Sequence, residues 1–468
     1  MKRFLVVVTA VLCMMSAWAQ AKYVFYLIGD GMGPNQVLAT EMYLAELGGQ
    51  IGRKQLCMTQ LPYSGQLGTF STSNSITDSS AAGTCLASGH KTNNGTLGLD
   101  DKGAPVKTIA ERLHDEGWAV GIMTSVSIDH ATPAAFYAHV PKRNMYYEIG
   151  RQLAESGFEF FGGATFYQPY PKDAPDGGPN VYELCEKAGY TFARGLKEYE
   201  ERRGVERLIL IQEHEGRDKN YLGTGMIPYG INKKEGDLTL QQITASAIDF
   251  LSAQKRPFFM MVEGGAIDWA CHDNDAATVI GDVLEFDAAI REVVRFYKQH
   301  PDETLIVITA DHETGGMALG NSDYTLNLQA LQHQKISLSE LSNQVKAMHQ
   351  AYGKKLKWQQ VKDLFTAQLG LYDAVPVTAE EDAELKALFN DMLKNKSADK
   401  KTLYSSLSSL SAKAVSLLDK KAKVGWTTGS HSAAAVPLFA IGVGAERFTG
   451  WHDNSEVAPL IMKATGCK

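Results

Sequence analysis

The segment YVFYLI at residues 23–28, followed directly by GDG at 29–31, decides how this chain folds. It is a short, unbroken run of β-branched, aromatic and other apolar residues that stops abruptly at glycine and aspartate. A strand that is buried on both faces has this pattern, because side chains on both of its faces must be apolar. We therefore predict a central parallel strand here, with Asp30 just beyond its carboxyl end.

Three further segments share this character: AVGIMT at 119–124, PFFMMV at 257–262 and TLIVITA at 304–310. Helical patterns lie between them, for example VKTIAERLHDEG at 106–117, whose final glycine is a typical helix stop. Alternation of buried strands with helices is typical of an α/β fold. We predict a doubly wound, mostly parallel central sheet with helices on both faces.

Each of the four predicted strands ends in a carboxylate or reaches one within a few residues: Asp30, Asp129, Glu263 and Asp311. A single aspartate after a strand is most often a turn residue or a helix cap. Ligands of such sheets, however, bind outside the carboxyl ends of the strands. Four acids at one edge therefore predict a charged site there.

Several residues near these strand ends are of types that bind metal ions. Asp268 and His272 are four residues apart, so on a helix they share one face, although such pairs are more often surface ion pairs. Asp311 and His312 are adjacent and can reach one site only from an irregular turn, and His431 lies in a loop rich in Gly, Ser and Thr. Carboxylates with imidazoles suit Zn²⁺ at catalytic sites, whereas carboxylate and hydroxyl oxygens suit Mg²⁺.

The composition is that of an ordinary globular protein, with 468 residues, a net charge of −7, 44% hydrophobic residues and 21% charged residues. The chain is not strongly basic, so we expect no nucleic acid partner. No stretch after the N-terminus is apolar enough to cross a membrane, so we expect no membrane partner either.

The first residues, MKRFLVVVTAVLCMMSAWAQA, combine a basic start, an apolar run and the small-x-small sequence Ala17–Trp18–Ala19. This pattern predicts a signal peptide over 1–19 that is cleaved near Ala19, and a periplasmic or secreted domain over 20–468. The alternative is an uncleaved anchor, but the apolar run is shorter than the roughly 20 residues that a span needs.

Five cysteines follow this segment, an odd number without paired short spacings: Cys57, Cys85, Cys185, Cys271 and Cys467. We predict no disulfide framework, with at most one or two pairs. Cys85 and Cys271 lie beside candidate site residues, but we interpret both as packing residues.

The motifs together resemble those of the alkaline phosphatases. The matching stretches are GDGMG, ITDSSAAGTCLASGHKT, HATPAAFYAHVPKRN, VEGGAIDWACH, TADHETGG, the loop at His431 and AERFTGWHDN. They cover most of the chain, while about 164–245 and 320–420 match poorly. The resemblance implies a metal-dependent enzyme that hydrolyses phosphate monoesters through a phosphoserine intermediate, with two Zn²⁺ and one Mg²⁺ per subunit.

The resemblance also implies a ligand set for each ion. The first zinc would be held by Asp268, His272 and His431, the second by Asp30, Asp311 and His312, and the magnesium by Asp30, Thr132 and Glu263. A serine hydroxyl is too weakly acidic to attack a phosphate dianion at neutral pH, and metal coordination lowers its pKa. Two metals can thus stabilise both ends of an in-line displacement.

In the stretch ITDSSAAGTCLASGHKT at 76–92, the resemblance identifies Ser79 as the nucleophile. Ser79 is expected at the start of a helix, where free backbone N–H groups face the phosphate. Ser80 then points about 100° away and is expected to cap or pack. Arg143 would clamp two phosphate oxygens, and Asp78 would orient Arg143 or the local backbone without binding metal.

The sequence departs from the best-known bacterial pattern at His130, where an Asp is common, and at Trp269, where a Lys is common. The combination resembles other branches of the family, including cold-adapted bacterial members, while His130 alone resembles the animal enzymes. We expect the missing lysine to weaken phosphate binding and to ease product release. His130 leaves the identity of the third metal open.

The segment of about 320–424 has helical periodicity and is rich in Leu, Lys, Gln, Ser and Ala. It is either a solvated helical insertion or a functional lid, crown or dimer contact, as insertions at this place are in relatives. We predict a helical cap over the mouth of the site and leave a homodimer open.

Two other functions compete with phosphate monoester hydrolysis. Phosphodiesterases and sulfatases of the same superfamily use similar metals, but they usually carry a threonine or a modified cysteine as nucleophile. A non-catalytic phosphate-binding protein is the third hypothesis, although no expected ligand or catalytic residue is missing.

Overall fold

The computed structural model describes residues 20–171, 178–212, 225–320, 323–395 and 399–467. The predicted signal peptide over 1–19 lies outside these residues. None of the helices within the described ranges combines the length and the apolar character that a membrane span requires.

A ten-stranded sheet forms the centre of the described structure, in the strand order β16-β2-β15-β8-β1-β7-β3-β4-β6-β5. Its strands are β1 Tyr23–Ile28, β2 Tyr63–Gly68, β3 Ala119–Thr124, β4 Phe160–Gly163, β5 Thr191–Arg194, β6 Leu208–Ile211, β7 Phe258–Glu263, β8 Thr304–Thr309, β15 Val436–Gly442 and β16 Gly450–Asp453. Short two-stranded pairs surround it: β9 Glu313–Thr314 with β14 His431–Ser432, β10 Met317–Leu319 with β13 Val424–Trp426, and β11 Lys400–Lys401 with β12 Ser406–Leu407.

The four predicted strands are confirmed as the adjacent strands β8, β1, β7 and β3. They pair in parallel, with Ile28 in register with both Glu263 and Thr309. All residues of β3, β7 and β8 are buried, which requires cover on both faces of the sheet. Strand β15, by contrast, runs antiparallel to both of its neighbours, β2 and β8.

The α-helices are α1 Pro34–Leu47, α2 Ser79–Ser88, α3 Ile109–Asp115, α4 Ala131–Ala134, α5 Tyr146–Ser156, α6 Val181–Lys187, α7 Gly195–Arg202, α8 Leu240–Ala253, α9 Ala266–Asp273, α10 Ala276–Tyr297, α11 Leu338–Tyr352, α12 Trp358–Leu369, α13 Ala379–Leu393, α14 Ser409–Lys421 and α15 Val457–Thr465. Among those that contact the sheet, α8 packs on β3 and β4, and α10 packs on β8. The predicted α/β fold, with a large and mostly parallel central sheet, is confirmed.

Helices α11 to α14 and the β11–β12 hairpin lie within the segment of about 320–424. The five cysteines after the predicted signal peptide are all free, which agrees with the prediction of no disulfide framework and leaves none of the one or two pairs that it allowed. The thiol of Cys85 donates to Asn454 Oδ1 (3.1 Å), and Cys271 Sγ accepts from Gln36 Nε2 (3.8 Å), which is consistent with packing roles.

Candidate active site

Three carboxylates meet at the carboxyl ends of the adjacent strands β8, β1 and β7. Asp30 lies two residues after β1, Asp311 two residues after β8, and Glu263 is the last residue of β7. The parallel register brings these ends to one level, and all three side chains are fully buried. The predicted charged edge of the sheet is therefore present.

Asp129 is the exception among the four strand-end acids. It is buried, but its two carboxylate oxygens accept hydrogen bonds from the backbone N–H of Tyr167 (both 2.9 Å). Burial raises the pKa of Asp129 to about 6. Its carboxylate is thus satisfied locally and organises a loop, the ordinary role of an aspartate after a strand.

The first donor group consists of Asp268, His272 and His431, whose ligand atoms lie within 4.8 Å of one another. Asp268 and His272 share one face of α9, with Oδ2 and Nε2 3.4 Å apart. His431 comes from β14, and its Nε2 lies 3.8 Å from Asp268 Oδ1. The helix spacing therefore produces the geometry that the sequence indicated.

The second donor group consists of Asp30, Asp311 and His312, again with ligand atoms within 4.8 Å of one another. His312 Nε2 lies 3.4 Å from Asp30 Oδ1 and 3.2 Å from Asp311 Oδ2. The irregular turn expected at Asp311 is present, because β8 has already ended at Thr309.

The third donor group shares Asp30 and adds Glu263 and His130. Thr132, which the family resemblance placed here, donates from its hydroxyl to Asp30 Oδ2 (3.3 Å). The hydroxyl of Thr124 donates to Glu263. An imidazole thus lies beside oxygen donors at the site expected to take magnesium.

In the first donor group, a hydrogen bond to the far side of each imidazole fixes which nitrogen is free. His272 Nδ1 donates to the carbonyl of Gly429 (2.7 Å) and His431 Nδ1 to the carbonyl of Thr77 (2.8 Å). A carbonyl can only accept, so the proton is on Nδ1 and the lone pair of Nε2 points into the cluster.

Thr314 orients two donor groups at once. Its hydroxyl donates to Asp268 Oδ1 (2.5 Å) and accepts from His312 Nδ1 (3.2 Å). Gly31 is required beside it, since its φ is +68° and a Cβ there would lie 2.8 Å from Asp268 Oδ1 and 2.9 Å from Thr314 Oγ1. The role of Thr314 was not predicted, although this residue lies inside a quoted motif.

Several donor atoms lack a hydrogen-bond partner in the protein, which tests whether metal ions fit here. Within the described residues, the buried atoms without a hydrogen-bond partner include Asp30 Oδ1, Glu263 Oε1, Asp268 Oδ2, His272 Nε2 and Asp311 Oδ2. Buried polar atoms are nearly always paired, so a cluster of unpaired acceptors fits bound cations.

The electrostatics of the cluster agree with this interpretation. Burial and the neighbouring carboxylates raise the pKa of Asp30 and of Asp311 well above the usual range. Burial raises the pKa of Glu263 to about 7. Burial opposes ionisation of Asp268 as well, but the imidazoles of His272 and His431 hold its pKa below the usual value. The cluster therefore favours added positive charge.

Ser79 is the first residue of α2, as expected, and its hydroxyl lies 3.2 Å from His312 Nε2. Asp78 caps the helix by accepting from the backbone N–H of Ala81 (3.0 Å). Ser80 donates to Asp78 Oδ2 (2.8 Å) and so faces away from the cluster. Gly83 allows α2 to pack closely against the C-terminal end of α4, since a Cβ there would lie 3.1 Å from Ala135 Cβ.

Arg143 extends toward this helix start. Its Nη1 donates to Asp78 Oδ2 (3.2 Å), and its Nη2 lies 3.4 Å from His130 Nε2 and 3.4 Å from the hydroxyl of Tyr404. Asp78 thus orients Arg143 and does not join a donor group.

Trp269 is 8% exposed and lies beside His130, with the two ring centroids 5.9 Å apart. Tyr404 had no signal in the sequence.

The fold and the donor groups define the class of this protein as a metal-dependent phosphatase. A family model described as alkaline phosphatase matches residues 21–159 and 176–467. The chain belongs to the alkaline phosphatase family, and the resemblance drawn from its motifs is confirmed.

Individual relatives agree with this assignment. Alkaline phosphatase 4 of Bacillus subtilis (strain 168) is 29% identical in an alignment of 456 residues that covers 95% of this chain and 89% of that protein. The cold-active alkaline phosphatase of a psychrophilic Shewanella sp. has a TM-score of 0.78 at 26% identity, over 95% of this chain and 99% of that one. Alkaline phosphatase of Thermus thermophilus has a TM-score of 0.75 at 25% identity, over 96% of this chain and 92% of that one.

We expect chelation of metal to destabilise the wild-type protein, lowering its Tm by about 10 °C or more, because the buried carboxylates then repel one another. Asp30→Asn removes a negative charge shared by two donor groups, so its Tm should fall less on chelation. Thermal unfolding with and without EDTA measures both. Asp129→Asn, a buried acid outside the donor groups, is the control and should respond like the wild type. An equal decrease in Tm on chelation in the wild type and in Asp30→Asn would contradict this account.

Proposed function

We propose that this chain hydrolyses phosphate monoesters with Ser79 as the nucleophile, two Zn²⁺ in the first and second donor groups and Mg²⁺ in the third. The observation that carries the proposal is the Ser79 hydroxyl, 3.2 Å from His312 Nε2, at a helix N-terminus beside unpaired donor atoms. When bound, the cations lower the pKa of the attacking hydroxyl groups and neutralise charge on the leaving oxygen.

The chain's own residues carry the two chemical steps. Ser79 Oγ attacks phosphorus, the Oγ–P bond forms, the ester P–O bond breaks, and the alcohol leaves with a proton. Water then attacks the phosphorus of the phosphoseryl group, so that a new P–O bond forms and the Oγ–P bond breaks. One proton of this water passes to Ser79 Oγ, and inorganic phosphate is released. The N-terminal N–H groups of α2 favour the negative charge of the phosphate throughout.

Arg143 supports the phosphate by a planar, two-pronged contact that a lysine cannot reproduce. Asp78 holds Nη1 at 3.2 Å, which keeps the guanidinium beside the start of α2. This arrangement suits a phosphate monoester, whose non-bridging oxygens are free to accept both prongs. A diester has only two such oxygens, so the two-pronged contact would leave none for the cations, which disfavours the phosphodiesterase alternative.

We also propose that the mature protein is exported after cleavage near Ala19. The basic start, the apolar run and the small-x-small sequence support this. N-terminal sequencing of the protein secreted by a host cell would identify the first mature residue.

Replacement of the two adjacent serines tests the proposed nucleophile. Ser79→Ala should reduce hydrolysis of p-nitrophenyl phosphate by at least about 10³-fold, since the covalent route is lost. Ser80→Ala, the matched control, should retain activity within about threefold, because it loses one hydrogen bond to Asp78.

Comparison of substrates in the same assay separates the alternatives. The wild type should cleave p-nitrophenyl phosphate faster than bis-p-nitrophenyl phosphate. Faster cleavage of the diester would favour the phosphodiesterase, and full activity of Ser79→Ala would rule out the proposed nucleophile. A zinc-loaded wild type that releases no phosphate at pH 8 to 10 would favour the non-catalytic protein.

Trp269 provides the test of phosphate affinity. Trp269→Lys places a cation beside the proposed phosphate position, so the inhibition constant for inorganic phosphate should fall about tenfold and kcat should fall with slower release. Trp269→Phe keeps an aromatic ring and adds no positive charge, so its inhibition constant for inorganic phosphate should stay near the wild-type value. An unchanged inhibition constant in Trp269→Lys would contradict the role assigned to this position.

A further inference from the structure

The β11–β12 hairpin brings a residue from the poorly matching segment to the active site. The hydroxyl of Thr402 donates to Asp273 Oδ1 (2.9 Å), and that of Ser405 donates to Asp273 Oδ2 (3.2 Å). Asp273 is the last residue of α9, the helix that carries Asp268 and His272. The hairpin is therefore attached to the same helix as the first donor group.

Tyr404 lies between these two anchoring residues, and its ring closes one side of the site. It stacks on the indole of Trp269, with centroids 4.4 Å apart and an interplanar angle of 14°. Its ring also meets the edges of His130 and His272, at centroid distances of 5.7 Å and 5.5 Å. Contacts on three sides leave the ring little freedom to move.

The Tyr404 hydroxyl is directed to Arg143 by this packing. Arg143 Nη2 donates to it at 3.4 Å, while Nη1 donates to Asp78 Oδ2 at 3.2 Å. The guanidinium is thus held at both terminal nitrogens, one from the start of α2 and one from the hairpin. A long arginine side chain loses considerable rotamer entropy on ordering, so a prepositioned guanidinium binds an anion at lower cost.

We propose that Tyr404 is a positioning residue that holds the Arg143 guanidinium in the orientation for phosphate binding. The inference rests on the proposed function, in which Arg143 binds the phosphate. The insertion then contributes to phosphate recognition through Arg143, in addition to any covering role.

Tyr404→Phe is the decisive variant, since it removes the hydroxyl and retains the ring that stacks on Trp269. We expect kcat/KM for p-nitrophenyl phosphate to fall about tenfold and the Kd of inorganic phosphate, measured by calorimetry, to rise by a similar factor. Metal content should not change. Tyr372→Phe is the matched control, because its hydroxyl lies in the same segment but donates to Asp382 (2.9 Å); it should behave like the wild type.

A double-mutant cycle separates positioning from simple packing. In an Arg143→Ala background, the further change Tyr404→Phe should alter the phosphate Kd by less than about twofold, because the partner is gone. The proposal would be overturned if Tyr404→Phe alone left the phosphate Kd unchanged. It would also be overturned if Tyr404→Phe raised this Kd by the same factor in the wild-type and Arg143→Ala backgrounds. If the proposed function itself were wrong, the results would differ from these: the wild type would be inactive, or Ser79→Ala would be active.

Discussion

The structure depends on one electrostatic constraint, the burial of several carboxylates within reach of one another. Asp30, Asp311 and Glu263 are fully buried at the ends of neighbouring strands, and Asp268 joins them from α9. Isolated buried carboxylates are strongly unfavourable, and unpaired ones repel. The fold supplies imidazoles but not enough positive charge, so this arrangement is stable as a set of ligands for cations.

Elements of the fold close to the cluster bring the carboxylates and imidazoles together. Parallel register brings the strand ends together, Gly31 lets the backbone approach Asp268, and Thr314 links Asp268 to His312. The start of α2 then places Ser79 beside the cluster. Under the proposed function, the same cations would compensate the charge of the cluster and activate the Ser79 hydroxyl.

The sheet and its acidic edge could be predicted because each depends on local pattern: buried apolar runs that end in Asp30 or Asp311. The antiparallel direction of β15 could not, since strand direction depends on the connection and not on the strand's own residues. His431 was a candidate by residue type, but its assignment to the first donor group came only from the family resemblance, because a loop histidine carries no periodic signal. Tyr404 was missed because its role depends on how a distant hairpin docks on α9, which propensity does not encode.

The most direct test of the account is the metal requirement of the purified enzyme. Protein freed of metal by chelation should be inactive on p-nitrophenyl phosphate. Titration with Zn²⁺ in the presence of Mg²⁺ should restore activity with an endpoint at two zinc ions per chain, measured together with metal content by mass spectrometry. Full activity in metal-free protein, or an endpoint that bears no relation to bound zinc, would contradict the claim that the buried carboxylates act through cations.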